Sequence, residues 1–210
     1  MVFISCWSNY CEDTVGWTVD PLFTLAVDST RKKQGSSSIR FYKPYNSGIN
    51  ARVCSLDITD CDEYLGFWFR PELLADGILE IYVQKTSDSA YAGINVSYNS
   101  PTAVSIQLIS WAPGLSVYAG PFKAGLNNDW NYIELRFWRS QVVIEWQLNG
   151  VWQGALAGYN VRDYDKYRVW GMGYYPAYYL NIDAIRVGDM YEYPPTYPLP
   201  RLHPFWKLRR

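Results

Sequence analysis

Trp130-Asn131-Tyr132-Ile133-Glu134-Leu135-Arg136-Phe137-Trp138-Arg139 is followed, three residues on, by Val143-Ile144-Glu145-Trp146-Gln147-Leu148-Asn149-Gly150. Successive side chains of a strand point to opposite faces. The first stretch therefore places Ile133, Leu135 and Phe137 on one side and Tyr132, Glu134, Arg136 and Trp138 on the other. In the second, Ile144, Trp146 and Leu148 oppose Glu145 and Gln147. Asn-Gly supplies the positive φ angles that a two-residue hairpin turn needs, and Val151-Trp152-Gln153 returns the chain. Two amphipathic strands and a tight turn set the fold class.

The same period recurs outward from this hairpin. Strands are predicted at 38–42, 65–70, 78–85, 93–99, 104–111, 167–172 and 179–187, separated by Gly, Pro, Asn and Asp. Leu65, Phe67 and Phe69 share one face, as do Ile81 and Val83, so both sets are assigned to the core. Helical periodicity is nearly absent. The expectation is an all-β, two-sheet antiparallel jelly-roll β-sandwich over residues 1–190. Residues 191–210 change character, with Pro194, Pro195, Pro198, Pro200 and Pro204 among aromatic and basic side chains. Proline cannot donate to a ladder, so this segment reads as an extended tail. Its Tyr193, Tyr197, Phe205 and Trp206 are expected to dock on other subunits.

A chain of 210 residues with 49% hydrophobic composition can bury a full core. The net charge of -1 gives no general attraction to nucleic acid or to anionic membrane. No apolar run is long enough to cross a bilayer as a helix, and the first residues do not read as a signal peptide. An extracellular, cell-surface or virion location is expected. The 10 Trp and 19 Tyr suit a wet surface that stacks against ligands.

Four cysteines, Cys6, Cys11, Cys54 and Cys61, and the single His203 leave little for zinc. Two disulfides are expected, with zinc and free thiols as alternatives. Three pairings exist, and the local one, Cys6–Cys11 with Cys54–Cys61, is the expectation. The single His203 lies in the tail, which removes histidine-based triads and most zinc hydrolase sites.

Four stretches resemble the concanavalin A-like lectin/glucanase superfamily, including its laminin-G-like and carbohydrate-binding jelly rolls. They are 11–17 followed by 34–41, then 64–71, then 130–135 with 143–150, and finally 181–187. The resemblance implies a jelly roll, glycan binding on a sheet face, and a structural Ca2+ tying the first and last strands. The positions matching the calcium set are Glu12, Asp13, Gly35 and Asp183. No cofactor is required beyond such a structural ion.

Taken strand by strand, the outward set is Trp68, Arg70, Glu80, Tyr82, Gln84, Asn95, Tyr132, Glu134, Arg136, Trp138, Glu145 and Gln147. We expect these on one sheet surface. Aromatic faces stack on sugar rings, while amides, carboxylates and guanidinium groups take hydroxyls. A protein partner or an ordinary solvated face are the alternatives. The related glucanases carry an E-x-D-x-x-E strand motif, and the jelly-roll polysaccharide lyases carry basic, aromatic and His motifs; both are missing here, so catalysis is set aside. The expectation is a non-catalytic recognition module with a carbohydrate ligand. The alternatives are a structural subunit of a virion or other assembly, and a polysaccharide hydrolase or lyase.

Overall fold

The computed structural model describes residues 2–21, 23–43, 52–58, 63–72, 77–100, 103–112, 115–124, 129–138, 143–157, 163–172 and 178–191. Every regular element among them is a strand. The first eight are β1 (Val2–Asn9), β2 (Trp17–Val19), β3 (Thr24–Asp28), β4 (Ser38–Lys43), β5 (Arg52–Asp57), β6 (Tyr64–Glu72), β7 (Gly77–Gln84) and β8 (Tyr91–Ser100). Then come β9 (Ala103–Ala112), β10 (Leu115–Ala124), β11 (Asn131–Trp138), β12 (Val143–Leu148), β13 (Val151–Ala157), β14 (Lys166–Met172) and β15 (Tyr178–Tyr191).

Two antiparallel sheets form the sandwich. The first runs β13-β12-β11-β6-β15-β4-β3, with β1 also paired to β15. The second runs β10-β9-β8-β7-β14-β5-β2. β15 is long enough to take β4 against residues 178–182 and β1 against residues 185–191. β6 continues past Phe69, although β11 reaches only that far. Pro71 is thus at an edge on one side, where a missing N–H is tolerated.

The core lies between the sheets, and the sequence assignment of faces holds. Leu65, Phe67, Phe69, Ile81, Val83, Ile133, Leu135, Phe137 and Ile144 are buried, and Leu148 packs against them half-buried. Aromatic rings bridge the layers: Trp17 meets Phe41 at 5.1 Å and Phe67 meets Tyr167 at 5.8 Å, both edge to face.

The disulfide expectation is corrected. Cys11 and Cys54 are free thiols buried in the core, so neither local pair is formed. Cys11 sits at φ 58 with its Sγ directed to the Asn9 carbonyl at 3.9 Å. Burial pushes both thiols up to about 12, which leaves them inert core groups. Cys61 and the tail beyond Tyr191 lie outside the described residues. No helix among the described residues is long and apolar enough to cross a membrane.

Candidate active site

The expected ligand residues do not share one surface. Trp68, Arg70, Tyr132, Glu134, Arg136, Trp138, Glu145 and Gln147 are on the outer face of the first sheet. Glu80, Tyr82, Gln84 and Asn95 are on the outer face of the second. The period-2 pattern says which side of a strand faces out. It does not say which sheet the strand joins, and β6 and β7 are adjacent in the chain but belong to opposite sheets.

The first outer face is occupied by the chain itself. The loop at 29–37 folds over it: the Lys33 and Gln34 amides donate to Asp183 Oδ2 at 2.6 and 2.8 Å. The Lys33 ammonium lies 4.5 Å from the Trp68 ring centroid, and Arg186 donates to Gln34. Deeper in, Asn181 donates to Asp28 Oδ2 at 3.2 Å and to Ser38 Oγ at 2.9 Å, all three buried. Beside the loop, Tyr64 and Tyr132 share a 2.6 Å hydroxyl contact above Gly66. Tyr64 also donates to Glu134, and Arg136 holds the same carboxylate. Burial, then the neighbouring tyrosine and Glu134, push the Tyr64 phenol far above its usual range. Glu134 and Arg136 thus serve a closed internal network. Glu145, opposite Arg136 on β12, and Gln147, opposite Glu134, are half-buried beside it.

The calcium set is adjacent to the same loop. Glu12 accepts from the Ser36 amide at 2.7 Å and from both the Ser36 and Ser37 hydroxyls. Its carboxylate fills the space beside Gly35, whose φ of +65 suits glycine. Asp13 is turned into its own bend, accepting from the Val15 amide. Asp183 Oδ1 is the buried carboxylate oxygen in this set without a donor. Burial, opposed by the amides and reinforced by Glu12, raises the Asp183 pKa. Calcium wants six to eight oxygens; among the described residues no group of three or more acidic, His or Cys side chains is placed to hold a metal. The set fits a cation only in part.

The second outer face carries three rows across its strands. The first is Trp170, Glu80, Asn95 and Gln107; the second is Ser55, Arg168, Tyr82, Gly93 and Ile109. The third is Asp57, Lys166, Gln84, Tyr91 and Trp111. Gly93 has no room for a methyl group, because the Ile81 carbonyl and Tyr82 backbone stand where one would go. The floor there is flat.

Chemistry concentrates around that floor. Asn95 donates to Glu80 Oε1 at 3.1 Å and accepts from Ser97 at 2.9 Å. Burial raises the Glu80 pKa, and the Asn95 bond only partly offsets it. Tyr82, two residues along the same strand face, is also raised by burial, opposed by the charge and hydrogen bond of Arg168. Two groups with lifted pKa values, a guanidinium and two amides therefore share one surface. The other carboxylate on this face among the described residues is Asp57, ion-paired with Lys166. It is four residues along and two strands across from Glu80, roughly 16 Å by strand geometry.

Arg168, Trp170, Gln107, Tyr91 and Trp111 were not in the sequence-derived set. The outward alternation of Arg168 and Trp170 in 166–172 was a readable signal. Their neighbours in the sheet were not.

No protein-family model matches the chain, and no curated protein matches it in sequence. Solved structures do. The endo-β-1,4-glucuronan lyase of the fungus Trichoderma reesei superposes with a TM-score of 0.64 at 12% identity, covering 89% of this chain and 96% of its own. The β-glucanase of Bacillus licheniformis gives 0.63 at 9%, covering 88% and 98%. The catalytic domain of a Thermotoga petrophila endo-1,3-β-glucanase (laminarinase) gives 0.59 at 12%, covering 90% and 98%. The fold is that of the concanavalin A-like lectins and glucanases.

This corrects the functional expectation. The expectation of a non-catalytic module rested on missing glucanase and lyase motifs, yet these three structures, which the chain superposes on over nearly their full length, are polysaccharide-cleaving enzymes. A short motif marks one arrangement of catalytic carboxylates.

Proposed function

We propose that this protein is an extracellular polysaccharide-cleaving enzyme. It acts on the outer face of the second sheet, by β-elimination from a uronate-containing polymer. The observation that carries the reading is that, among the described residues, Glu80 has no second carboxylate within reach on its face. Hydrolysis with two carboxylates needs them about 5–9.5 Å apart, and Asp57 is far outside that range and neutralised by Lys166. Elimination needs something else: a group to bind the substrate carboxylate, a base for the C5 proton and an acid for the leaving oxygen.

Each role has a candidate. Arg168, with the amides of Asn95 and Gln107, suits the uronate carboxylate, because charge-assisted bonds to guanidinium are strong and directional. Neutralising that carboxylate makes the C5 hydrogen more acidic. Glu80, its basicity lifted by burial, removes the C5 proton. The electron pair forms the C4–C5 double bond and the C4–O bond to the next sugar breaks. Tyr82, whose burial keeps its proton on the phenol, donates it to the departing oxygen. Trp68, Arg70, Tyr132, Glu134, Arg136, Trp138, Glu145 and Gln147 are assigned to the opposite, structural face. A structural Ca2+ is a separate proposal resting on Asp183 Oδ1, tested by whether added Ca2+ raises the melting temperature.

The experiment is incubation with glucuronan and other polyuronates, following both reducing ends and the ultraviolet absorbance of the new double bond. Both signals rising together support elimination. Reducing ends without absorbance would establish hydrolysis, and neither signal would overturn the reading.

A further inference from the structure

Resting on the reading of Glu80 as the base, we infer that Ser97 is a positioning residue for it, acting through Asn95. Three side chains on the outer face of β7 and β8 form one line of hydrogen bonds. Asn95 stands directly across the ladder from Glu80, and Ser97 is two residues further along the same face of β8. Ser97 Oγ donates to Asn95 Oδ1 at 2.9 Å, and Asn95 Nδ2 donates to Glu80 Oε1 at 3.1 Å.

The direction of the line follows from what each group can do. An ionised carboxylate only accepts, so Asn95 must turn its NH2 group to Glu80. That turns Oδ1 to Ser97, which has a proton to give. Asn95 is 8% exposed, so an Oδ1 without that proton would be cut off from water as well. A protonated Glu80 requires the reverse: its O–H donates to Oδ1, and the amide donates to Ser97 Oγ, which can also accept. Ser97 supports the ionised state more. There the line ends in a charge-assisted bond, roughly twice as strong as a neutral one, and a donor behind an amide strengthens the N–H in front of it.

The arrangement also decides which oxygen acts. Oε1 is held by Asn95, and among the described residues Oε2 takes no donor, so Oε2 is the oxygen left to meet the C5 proton. The second hydrogen of the Asn95 amide stays available for the substrate carboxylate. The other titratable or charged groups facing Glu80 among the described residues are Tyr82, two residues along β7, and Arg168, across from Tyr82 on β14. Trp170, directly across from Glu80, and Gln107, beyond Asn95, are neutral. Burial raises the Glu80 pKa, and the Asn95 hydrogen bond is what opposes it.

A hydroxyl that merely filled space on the sheet would leave the titration of Glu80 where it is. Two measurements read the difference. Carbon-13 NMR of the glutamate δ-carboxyls, with the Glu80 signal assigned through Glu80→Gln, gives its midpoint without substrate. The pH profile of kcat/KM on glucuronan gives the acid limb. Ser97→Ala is expected to raise the Glu80 midpoint by about half a unit to one unit, the scale of one hydrogen bond. The acid limb should move with it, so that kcat/KM falls about three- to tenfold below the limb and less above it. Asn95→Ala should raise the midpoint at least as far. Ser97→Thr should restore the wild-type midpoint, and Ser97→Val, the same shape without the hydroxyl, should not; this pair decides the matter should Ser97→Ala melt early. A midpoint indifferent to Ser97→Ala and Ser97→Val in an active enzyme overturns the positioning role and leaves the lyase reading intact. A midpoint that moves in a protein that cleaves nothing supports the hydrogen-bonded line and removes the role of Glu80 as base. A midpoint that stays in a protein that cleaves nothing removes both.

Discussion

The two outer faces of the sandwich carry similar residues and do opposite things with them. Each has a glycine beneath tyrosines, an acidic residue beside an arginine, and a tryptophan close by. On the first sheet the Tyr64, Tyr132, Glu134 and Arg136 side chains satisfy one another, and the loop at 29–37 covers the rest through Lys33, Gln34 and Asp183. On the second sheet Glu80 has an amide partner and a lifted pKa, with no arginine bonded to it in the described network. A carboxylate held by a guanidinium is spent on structure, whereas one held by a neutral amide keeps its basicity. Composition does not distinguish the faces; partners do.

The largest expected effect compares the two carboxylates directly. Glu80→Gln should lower kcat by roughly 10²–10⁴, the usual scale for loss of a general base, with the melting temperature little changed. Glu134→Gln should instead cost roughly 1–3 kcal/mol of stability, because it strands Arg136 and Tyr64, and should leave turnover within about twofold once folded. The reverse outcome, with Glu134→Gln inactive and Glu80→Gln merely unstable, would move the site to the first sheet. The pH profile sharpens the point. Glu80 must be ionised to act and its pKa is raised, so the acid limb of kcat/KM should lie above the ordinary carboxylate value of 4.5. Tyr82 must stay protonated and is raised from 10.0, so it should impose no alkaline limb below that pH.

The glycines come next. A methyl group on Gly93 collides with the Ile81 carbonyl and the Tyr82 backbone, which cannot move without breaking the β7–β8 ladder. Gly93→Ala should cost roughly 3 kcal/mol or more, the upper end for overpacking. On Gly66 the obstacles are the hydroxyl ends of Tyr64 and Tyr132, which can swing aside. Gly66→Ala should cost roughly 1 kcal/mol, near the net value of the hydrogen bond it disturbs. Chemical denaturation of both variants checks the order, and a larger loss at Gly66 would show that the tyrosine pair is the more rigid of the two.

Much of this molecule was legible in the alternation of its strands. Phe67, Ile81, Leu135 and Ile144 were placed inside, and Trp68, Glu80 and Glu134 outside, from period alone. Strand order was not legible, because pairing across a sandwich joins residues far apart in the chain: β6 meets β11 and β15, and β7 meets β14. That is why twelve outward residues were read as one surface when they divide between two. β1, β2, β3, β5 and β10 were also missed. β2 has three residues, too few for a period to show, and β10 is interrupted by Gly120-Pro121 at a shift in register. The cysteines misled because spacing suggested local pairs. What decides a disulfide is where the side chains point, and Cys11 and Cys54 point into the core. Native alkylation should accordingly leave both unmodified, while denaturation exposes them.

The third effect concerns how the first face is closed. Asp28 is buried, which pushes its pKa up, yet the bonds from Thr30, Asn181 and Arg31 outweigh this and hold it at about 2. A carboxylate with a lowered folded pKa stabilises above its unfolded value and loses that contribution as the pH falls through the folded one. Asp28→Asn should therefore cost about 2 kcal/mol at neutral pH. The gap to wild type should narrow as the pH drops from 3.8 towards 2. A gap independent of pH would mean that shape, and not charge, holds Asn181 and Ser38 in place.

The smallest effect is the most direct test of which face meets the substrate. The Lys33 ammonium caps Trp68 at 4.5 Å, a contact worth about 0.5–1 kcal/mol at a partly exposed site. Lys33→Gln removes that charge while keeping the backbone amide that donates to Asp183, so the loop stays anchored. The expected loss of stability is under about 1 kcal/mol, and a double-mutant cycle with Trp68→Leu should recover a coupling of that size between the two side chains. KM on glucuronan should not move, because Lys33 and Trp68 are on the far side of the sandwich from Glu80 and Arg168. A cycle with no coupling would mean that the ammonium and the ring are neighbours without being partners. A KM that rises with Lys33→Gln would mean that the polyanion reaches the first face after all, and the division of labour between the two faces would have to be redrawn around the loop at 29–37.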